Sequence, residues 1–319
     1  MKIITITNKK AEEFLRNNFS APTHWPDWNL LVEKHYNTEF FYLGAKKNGV
    51  LKGICPVHET KHQKFLFRRQ SGQFHFIPNG GWIFSEPQVL SKKFIPTRWN
   101  SVFESFSLPD VQEFNVINDT YPPGKLKKTL VIDLKKSPDE IWQQDIHSKR
   151  RNMIRKAIKE GVFIRQVRTE EELTDFYSLY AEASNRYSTH RLSFQFFREM
   201  LFDSQNIELD LYVAWQDKKQ LASAGIISDK NYSIYWLGNN AKDVKNKGQG
   251  ELLQWHAIQK MKEKGCNYYD LCYIEPNRLP SIYKFKKGFS KTEKNINLII
   301  KKPVSFKILN RLSKIMSLF

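Results

Sequence analysis

The sequence predicts an α/β protein built as two tandem domains, each a mixed sheet flanked by helices. Three observations carry that expectation. The chain has 319 residues, long for a single hydrophobic core. Phe41–Ile54 and Leu211–Ala224 share one grammar of strand, polar turn and strand, with Tyr212 at the place of Tyr42 and Leu221 at that of Leu51. The second half then runs strand, strand, strand, loop, helix, strand, with a glycine-rich turn entering the helix.

The elements follow in order. Met1–Thr7 reads as a first strand, and Asn48-Gly49 is the turn signal of a hairpin. Thr129–Leu134 alternates as a strand does. Ser137-Pro-Asp-Glu140 is a capping box with proline at the first helical position, opening a helix expected to continue to Gly161. The domain boundary falls inside or just before that helix, giving domains of 1–146 and 147–303 with a terminal helix over 304–319. Thr169-Glu-Glu-Glu172 is a second capping box, ahead of a stripe of Leu173, Phe176, Tyr177 and Tyr180. Ser193 caps a shorter aromatic helix. Strands follow near 210–216, 220–228 and 232–238, then a helix over 248–264 and a strand near 267–273.

Composition narrows the chemistry. Lys and Arg number 51 against 33 Asp and Glu, a formal charge of +18. Such a surface suits phosphate-rich partners, and a lysine-rich genome produces the same balance without any partner. Cys55, Cys266 and Cys272 have neither metal-ligand spacing nor an even count, so they read as reduced core residues. No run of apolar residues reaches the ~18 that a membrane-spanning helix needs, and the first residues lack the apolar stretch of a signal peptide. The expectation is a cytoplasmic protein with no tightly bound cofactor and no metal. Gly-x-Ser-x-Gly, Walker and Cys-x-x-Cys patterns are absent.

Several clusters could carry function. Lys245-Asn-Lys-Gly-Gln-Gly250 sits where a strand hands over to a helix. Glycines there let backbone N–H groups approach a phosphate, so Lys245, Gly248 and Gly250 are candidate cofactor-binding residues; a plain helix-entry turn has the same signature. Ser148–Lys159 packs six basic residues into twelve positions. Arg151 and Arg155, one turn apart, could share an anion, or the face could simply be solvated. Arg191 is a candidate phosphate clamp, with Tyr235 and Tyr273 as further substrate contacts. Asp270, at a strand end, and Glu275, in the next loop, are candidate bases, although Asp270 could equally cap the turn. Trp25, Trp28 and Trp82, with Pro78-Asn-Gly-Gly81, could form an aromatic acceptor wall or belong to the core. Phe306–Phe319 has its apolar residues on one helical face, as does an interfacial membrane helix or one packed back on the first domain.

Ser281-Ile-Tyr-Lys-Phe-Lys-Lys-Gly-Phe-Ser290 places an aromatic–lysine pair, Phe285 and Lys286, just beyond a strand. A fixed cation there can serve an oxyanion, with the ring as an apolar wall. Four blocks, Lys149–Val162, Leu252–Ile258, Gly265–Leu271 and Tyr283–Phe289, resemble the FemABX-type aminoacyltransferases in order and spacing, and so also the wider GNAT-like acyltransferases, including the CelD-like ones of polysaccharide loci. The resemblance covers about 137–300. The glycine turn is similar to the coenzyme A loop of GCN5-related N-acetyltransferases, with Lys245 where that pattern has Arg or Gln.

What the resemblance implies is a pair of GNAT-like domains moving an amino acid from aminoacyl-tRNA to an amine of a peptidoglycan precursor, nucleotide- or lipid-linked. In that family the lysine at the position of Lys286 is thought to stabilise the carbonyl oxyanion and the departing tRNA hydroxyl. Two alternatives stay open: an acyl-CoA-dependent N-acyltransferase of polysaccharide or nucleotide-sugar synthesis, and a non-catalytic basic protein holding RNA or anionic lipid. A lipid-linked acceptor would put the protein at the inner face of the membrane, where 306–319 could make a peripheral contact.

Overall fold

The computed structural model describes residues 1–62, 66–71, 80–90, 94, 102–106, 108–109, 111–118, 127–274, 276–296 and 298–301. The candidate base Glu275, the Pro78-Asn79 part of the proposed aromatic wall and the 306–319 segment lie outside them. The chain divides into two compact units, one of residues 1–74, 78–127 and 295–319, the other of 75–77 and 128–294.

In the first unit, β1 (Lys2–Ile6), α1 (Asn8–Asn17) and α2 (Pro26–Tyr36) precede β2 (Glu39–Lys47), β3 (Val50–His62) and β4 (Leu66–Ser71). Short strands β5 (Ile83–Phe84), β6 (Gln88–Leu90), β7 (Val102–Phe106) and β8 (Val116–Asn118) follow. The hairpin between β2 and β3 turns through Asn48 and Gly49, both at positive φ (51° and 80°), as an Asn-Gly turn of the right twist requires. Trp25, Trp28 and Trp82 are 3%, 3% and 1% exposed. These three indoles are core, and the aromatic-wall expectation for them does not hold.

The second unit runs β9 (Lys127–Asp133), α3 (Pro138–Glu140), a π-turn over Ile141–Asp145, α4 (Ser148–Lys159), β10 (Phe163–Gln166), α5 (Glu170–Arg186), α6 (Phe194–Phe202), β11 (Glu208–Gln216), β12 (Lys219–Ser228), β13 (Tyr232–Asn240), α7 (Gln249–Glu263), β14 (Tyr268–Ile274), α8 (Pro280–Lys287) and β15 (Glu293–Ile296). β16 (Leu298–Lys301) then joins the sheet of the first unit. The sheets are ordered β1-β2-β3-β4-β7-β16 and β10-β11-β12-β13-β14-β9-β15. Each begins with a strand, two helices and an antiparallel run, and each contains one parallel pair among the long strands, β4 with β7 and β13 with β14. That repeated order is the duplication hinted at by the two hairpins.

Two expectations change. The junction lies at 127/128, not at 146/147, because β9 is sandwiched between β14 and β15 in the second sheet. Leu130, Ile132 and Leu134 bring β9 into the same core as Leu253, Ile258, Met261 and Leu271. The helix expected to run from 137 to 161 is broken as well. Its capping box forms as read, but the chain passes through the π-turn, extends at Ile146 (φ −82°, ψ 120°) and restarts with His147 as N-cap. The His147 N–H is held by the Gly288 carbonyl at 2.8 Å, a tertiary contact that outweighs continuing the helix.

A candidate acyl-transfer site around Lys286

Parallel strands β13 and β14 pair over three rungs, Tyr232–Ile234 with Tyr268–Asp270. Beyond them β14 bulges toward β9, its register shifting between Asp270 and Tyr273, with Cys272 at φ +63°. A non-glycine residue in that region is strained and persists only where its surroundings fix it. Asp270 supplies the fixing. Its carboxylate is 0% exposed and accepts from Thr129 Oγ1, from the Tyr232 hydroxyl at 2.8 Å and from the Cys272 N–H at 2.8 Å. Those three donors hold β9, β13 and the bulge of β14 together. The carboxylate expected to take a proton from substrate is thus turned into the sheet, and its work is to clamp the bulge.

The bulge aims the Tyr273 carbonyl at α8, a helix that starts with Pro280 and whose C-cap N–H, from Gly288, reaches Phe285 O at 3.1 Å. Of its three lysines, Lys284 is exposed and Lys287 pairs with Glu293 at 2.7 Å. Lys286 turns inward, 8% exposed, donating to Tyr273 O at 3.2 Å, with its Nζ 5.8 Å from the centre of the Tyr235 ring. Burial pushes this ammonium below the ordinary lysine range, and the acidic groups of Cys272 and Asp270 oppose the shift. Burial conversely pushes the Cys272 thiol up to about 11 and the Tyr235 phenol up to about 12. The Gln254 amide oxygen accepts from the Tyr269 hydroxyl at 3.1 Å, and the Gln254 side chain tempers the rise at Tyr235. The result is a weakly hydrated cation, directed by one carbonyl and one aromatic face, beside protonated neighbours. Such a cation is prepared for a negative charge that develops during reaction.

Phe285 is half-buried. It packs on Phe289 at 5.3 Å, lies under the Arg150 guanidinium at 5.0 Å and has its ring edge over Gly250. Phe285 therefore fixes α8 against the start of α7 while leaving part of its ring open. Arg150 completes the joint, binding Glu251 at 2.6 Å and Lys284 O at 3.1 Å.

The glycine turn has a different purpose from the one its sequence suggested. Gly248 has φ +89°, and a Cβ there would stand 2.1 Å from the Met153 carbonyl oxygen; glycine is demanded by the approach of α7 to α4. The Lys247 and Gly248 N–H groups are taken by Gln249 Oε1 at 2.8 Å and Asn246 Oδ1 at 2.9 Å. The buried carboxylate of Glu251 already occupies the first turn of α7, where a phosphate would be drawn by the helix dipole. Lys245 is exposed in the loop. In this structure the turn serves as a packing joint between α7 and α4.

Arg151 and Arg155 do not share an anion. Arg151 donates to the carbonyls of Trp142, Gln143 and Ile146 at 3.1, 3.3 and 2.7 Å, capping the π-turn. Arg155 is exposed, bonded to Asn152 at 3.1 Å and stacked over Trp142 at 5.4 Å. Arg191 is exposed in the loop between α5 and α6. Tyr235 and Tyr273 come together at Lys286; Arg151 and Arg155 are engaged on the π-turn and on Asn152 and Trp142 instead, and Arg191 and Lys245 sit exposed in loops. Sequence reasoning missed Gln254, Cys272 and Thr129. Gln254 did leave a signal, a lone amide among Leu252, Leu253, Ala257 and Ile258 on the buried side of α7. Among the described residues no group of three or more His, Cys, Asp or Glu converges on a metal position.

Comparison with known proteins follows the same geometry. Residues 147–287 match the model of an acetyltransferase (GNAT) domain, the stretch that runs from α4 to the end of α8. A UDP-N-acetylmuramoylpentapeptide-lysine N(6)-alanyltransferase of Weissella viridescens is 26% identical over 166 residues, 51% of this chain and 48% of that enzyme. The match thus spans about half the length of that relative. The crystal structure of FemX superposes with a TM-score of 0.65 at 13% identity, over 92% of this chain and 97% of that one. A tandem GNAT protein from the clavulanic acid biosynthesis pathway does so with 0.54 at 9% identity, over 95% and 98%. At those identities the structural likeness speaks for the fold, a tandem pair of GNAT domains. The chain is thus similar in sequence to a GNAT acetyltransferase domain, within its second unit, and to a FemABX-type alanyltransferase, and the fold is that of a tandem GNAT protein such as FemX.

Proposed function

We propose that this chain transfers an aminoacyl group from the ester of an aminoacyl-tRNA to an amine of a cell-envelope glycan or peptidoglycan precursor. The observation that carries the reading is Lys286: a buried ammonium aimed by the Tyr273 carbonyl into the place where β13 and β14 part. In the reaction the amine nitrogen attacks the ester carbonyl carbon. The carbonyl oxygen becomes an oxyanion, and the Lys286 ammonium offsets that charge in a poorly hydrated setting. The C–O bond to the ribose then breaks, the amide remains, and the proton lost by the amine ends on the leaving ribose hydroxyl. The exposed edge of Phe285 forms an apolar margin for the donor. Acid–base balance is internal to the reactants, so no redox partner is required.

The donor is argued from the α7 turn. An acyl-CoA donor would place its pyrophosphate against N–H groups at a helix start, and here the Lys247 and Gly248 N–H groups are held by Gln249 and Asn246, with the buried Glu251 carboxylate, bound to Arg150, in the first turn. This supports the tRNA ester over acyl-CoA. The alanyltransferase relative supports a peptidoglycan-type acceptor. The test is turnover of a lysine-bearing precursor with alanyl-tRNA and, separately, with acetyl-CoA. Product with the tRNA ester alone is expected, and acyl-CoA turnover without tRNA would overturn the donor assignment.

A further inference from the structure

Between β14 and Lys286 the chain makes a tip whose residues 276–282 are all exposed. Four of the seven are apolar: Pro276, Leu279, Pro280 and Ile282. Leu279 is 44% exposed and Ile282 45%. Single exposed aliphatics are ordinary on protein surfaces, so the weight falls on what surrounds these two. From Pro276 to Lys291 the sequence contains Arg278, Lys284, Lys286, Lys287 and Lys291 and no carboxylate. Lys286 is buried and Lys287 is paired with Glu293, while Arg278, Lys284 and Lys291 are exposed. Exposed aliphatic side chains with exposed cations close by in sequence complement an anionic lipid surface, whose headgroups attract the charges while the acyl boundary accepts the aliphatics.

The position of the tip adds to its composition. Ile282 precedes Phe285 and Lys286 by three and four residues on α8, the spacing that puts side chains in one row along a helix. A surface that covers Ile282 therefore lies one turn from the buried ammonium. No helix among the described residues is long and apolar enough to cross a membrane, so a contact here would be peripheral.

We propose that the 276–282 tip, with Arg278, Lys284 and Lys291, docks on a bilayer rich in anionic lipid and so presents the Lys286 site to an acceptor held in that bilayer. The docking stands on the tip alone; its use for a lipid-linked acceptor rests on the reaction proposed above.

The experiment is co-sedimentation of the full chain with vesicles of phosphatidylcholine, with and without phosphatidylglycerol. The parent chain should pellet with the anionic vesicles and be released by high salt. L279D/I282D should lower the apparent partition by about tenfold, and K284E/K291E by several-fold. Turnover of a water-soluble, nucleotide-linked acceptor by L279D/I282D, measured in parallel, should stay within about twofold of the parent, which also reports correct folding. Equal pelleting of parent and L279D/I282D would overturn the proposal, as would binding that disappears only on deletion of 304–319. Loss of soluble-acceptor turnover in a folded L279D/I282D would make the tip part of the substrate site instead. Vesicle binding as expected with no turnover of either acceptor would leave the docking intact and sink the reaction.

Discussion

Lys286 holds its charge at a place that water reaches poorly, and that conflict can be measured. Its folded-state pKa lies below the ordinary lysine value because of burial, so the unfolded chain binds the proton more tightly. The penalty on the folded state is full at pH values below the folded pKa. It fades as pH rises from the folded toward the unfolded value, and stability gains over that window. Lys286→Met removes the penalty. The expected outcome is a melting temperature equal to or above the parent's, with turnover reduced roughly 10²–10³-fold. If Lys286 works as a cation, the alkaline limb of the kcat/KM profile should begin below the usual lysine range, and Lys286→Arg should move it upward while keeping partial activity. A rate that instead rises through that limb would make Lys286 a base. Asp270 is the contrasting case. Asp270→Asn replaces one acceptor oxygen facing Thr129, Tyr232 and the Cys272 N–H with a donor. It should cost on the order of 1–3 kcal/mol of stability, visible in denaturant unfolding, without a new ionisation in the pH–rate profile.

At the scale of elements, the start of α7 tests what its glycines are for. Gly248→Ala forces a Cβ to within 2.1 Å of Met153 O at φ +89° and should destabilise by about 2–4 kcal/mol. Gly250→Ala meets the Phe285 ring at 3.7 Å, an ordinary contact, and should change stability by less than about 1 kcal/mol. Thermal melts of both variants check this; equal and small effects would revive the reading of a turn kept open for a ligand. The same comparison explains which elements were legible in the sequence. The capping boxes at Ser137 and Thr169 and the cap at Ser193 formed as read, because each is a bond between neighbours three residues apart. The helix over 137–161 was misread where its break depends on Gly288, far along the chain. The bulge at Cys272 was invisible for the same reason, since it depends on Asp270 being held by Thr129 141 residues away. The buried orientation of Lys286 could not be told from helical position alone; it follows from that bulge, which turns the Tyr273 carbonyl toward it.

For the whole molecule, the decisive feature is that each sheet is completed by a strand from outside its own local run. β9 precedes all the helices of the second unit yet lies between β14 and β15, and β16 follows that unit yet pairs with β7 of the first. A boundary drawn at the helix that follows β9 therefore cuts the second sheet. Starting at 147 would remove Leu130, Ile132 and Leu134, which are 0%, 1% and 2% exposed, each worth about 2 kcal/mol or more of burial. It would also remove the Thr129 donor from Asp270 and the bonds by which Val131 holds Thr292 and Ser290 at 3.1 and 2.7 Å. Against a typical domain stability of ~5–15 kcal/mol, that loss takes most of what holds the fold. A fragment of residues 128–294, the second unit without its short 75–77 segment, should give a cooperative thermal transition and dispersed amide resonances. One of residues 147–303, the division expected from sequence, should not. A cooperative transition in the shorter fragment would show that β9 is an addition to a self-sufficient core, and the clamp on the Lys286 site would then have to be found elsewhere than in Thr129 and Asp270.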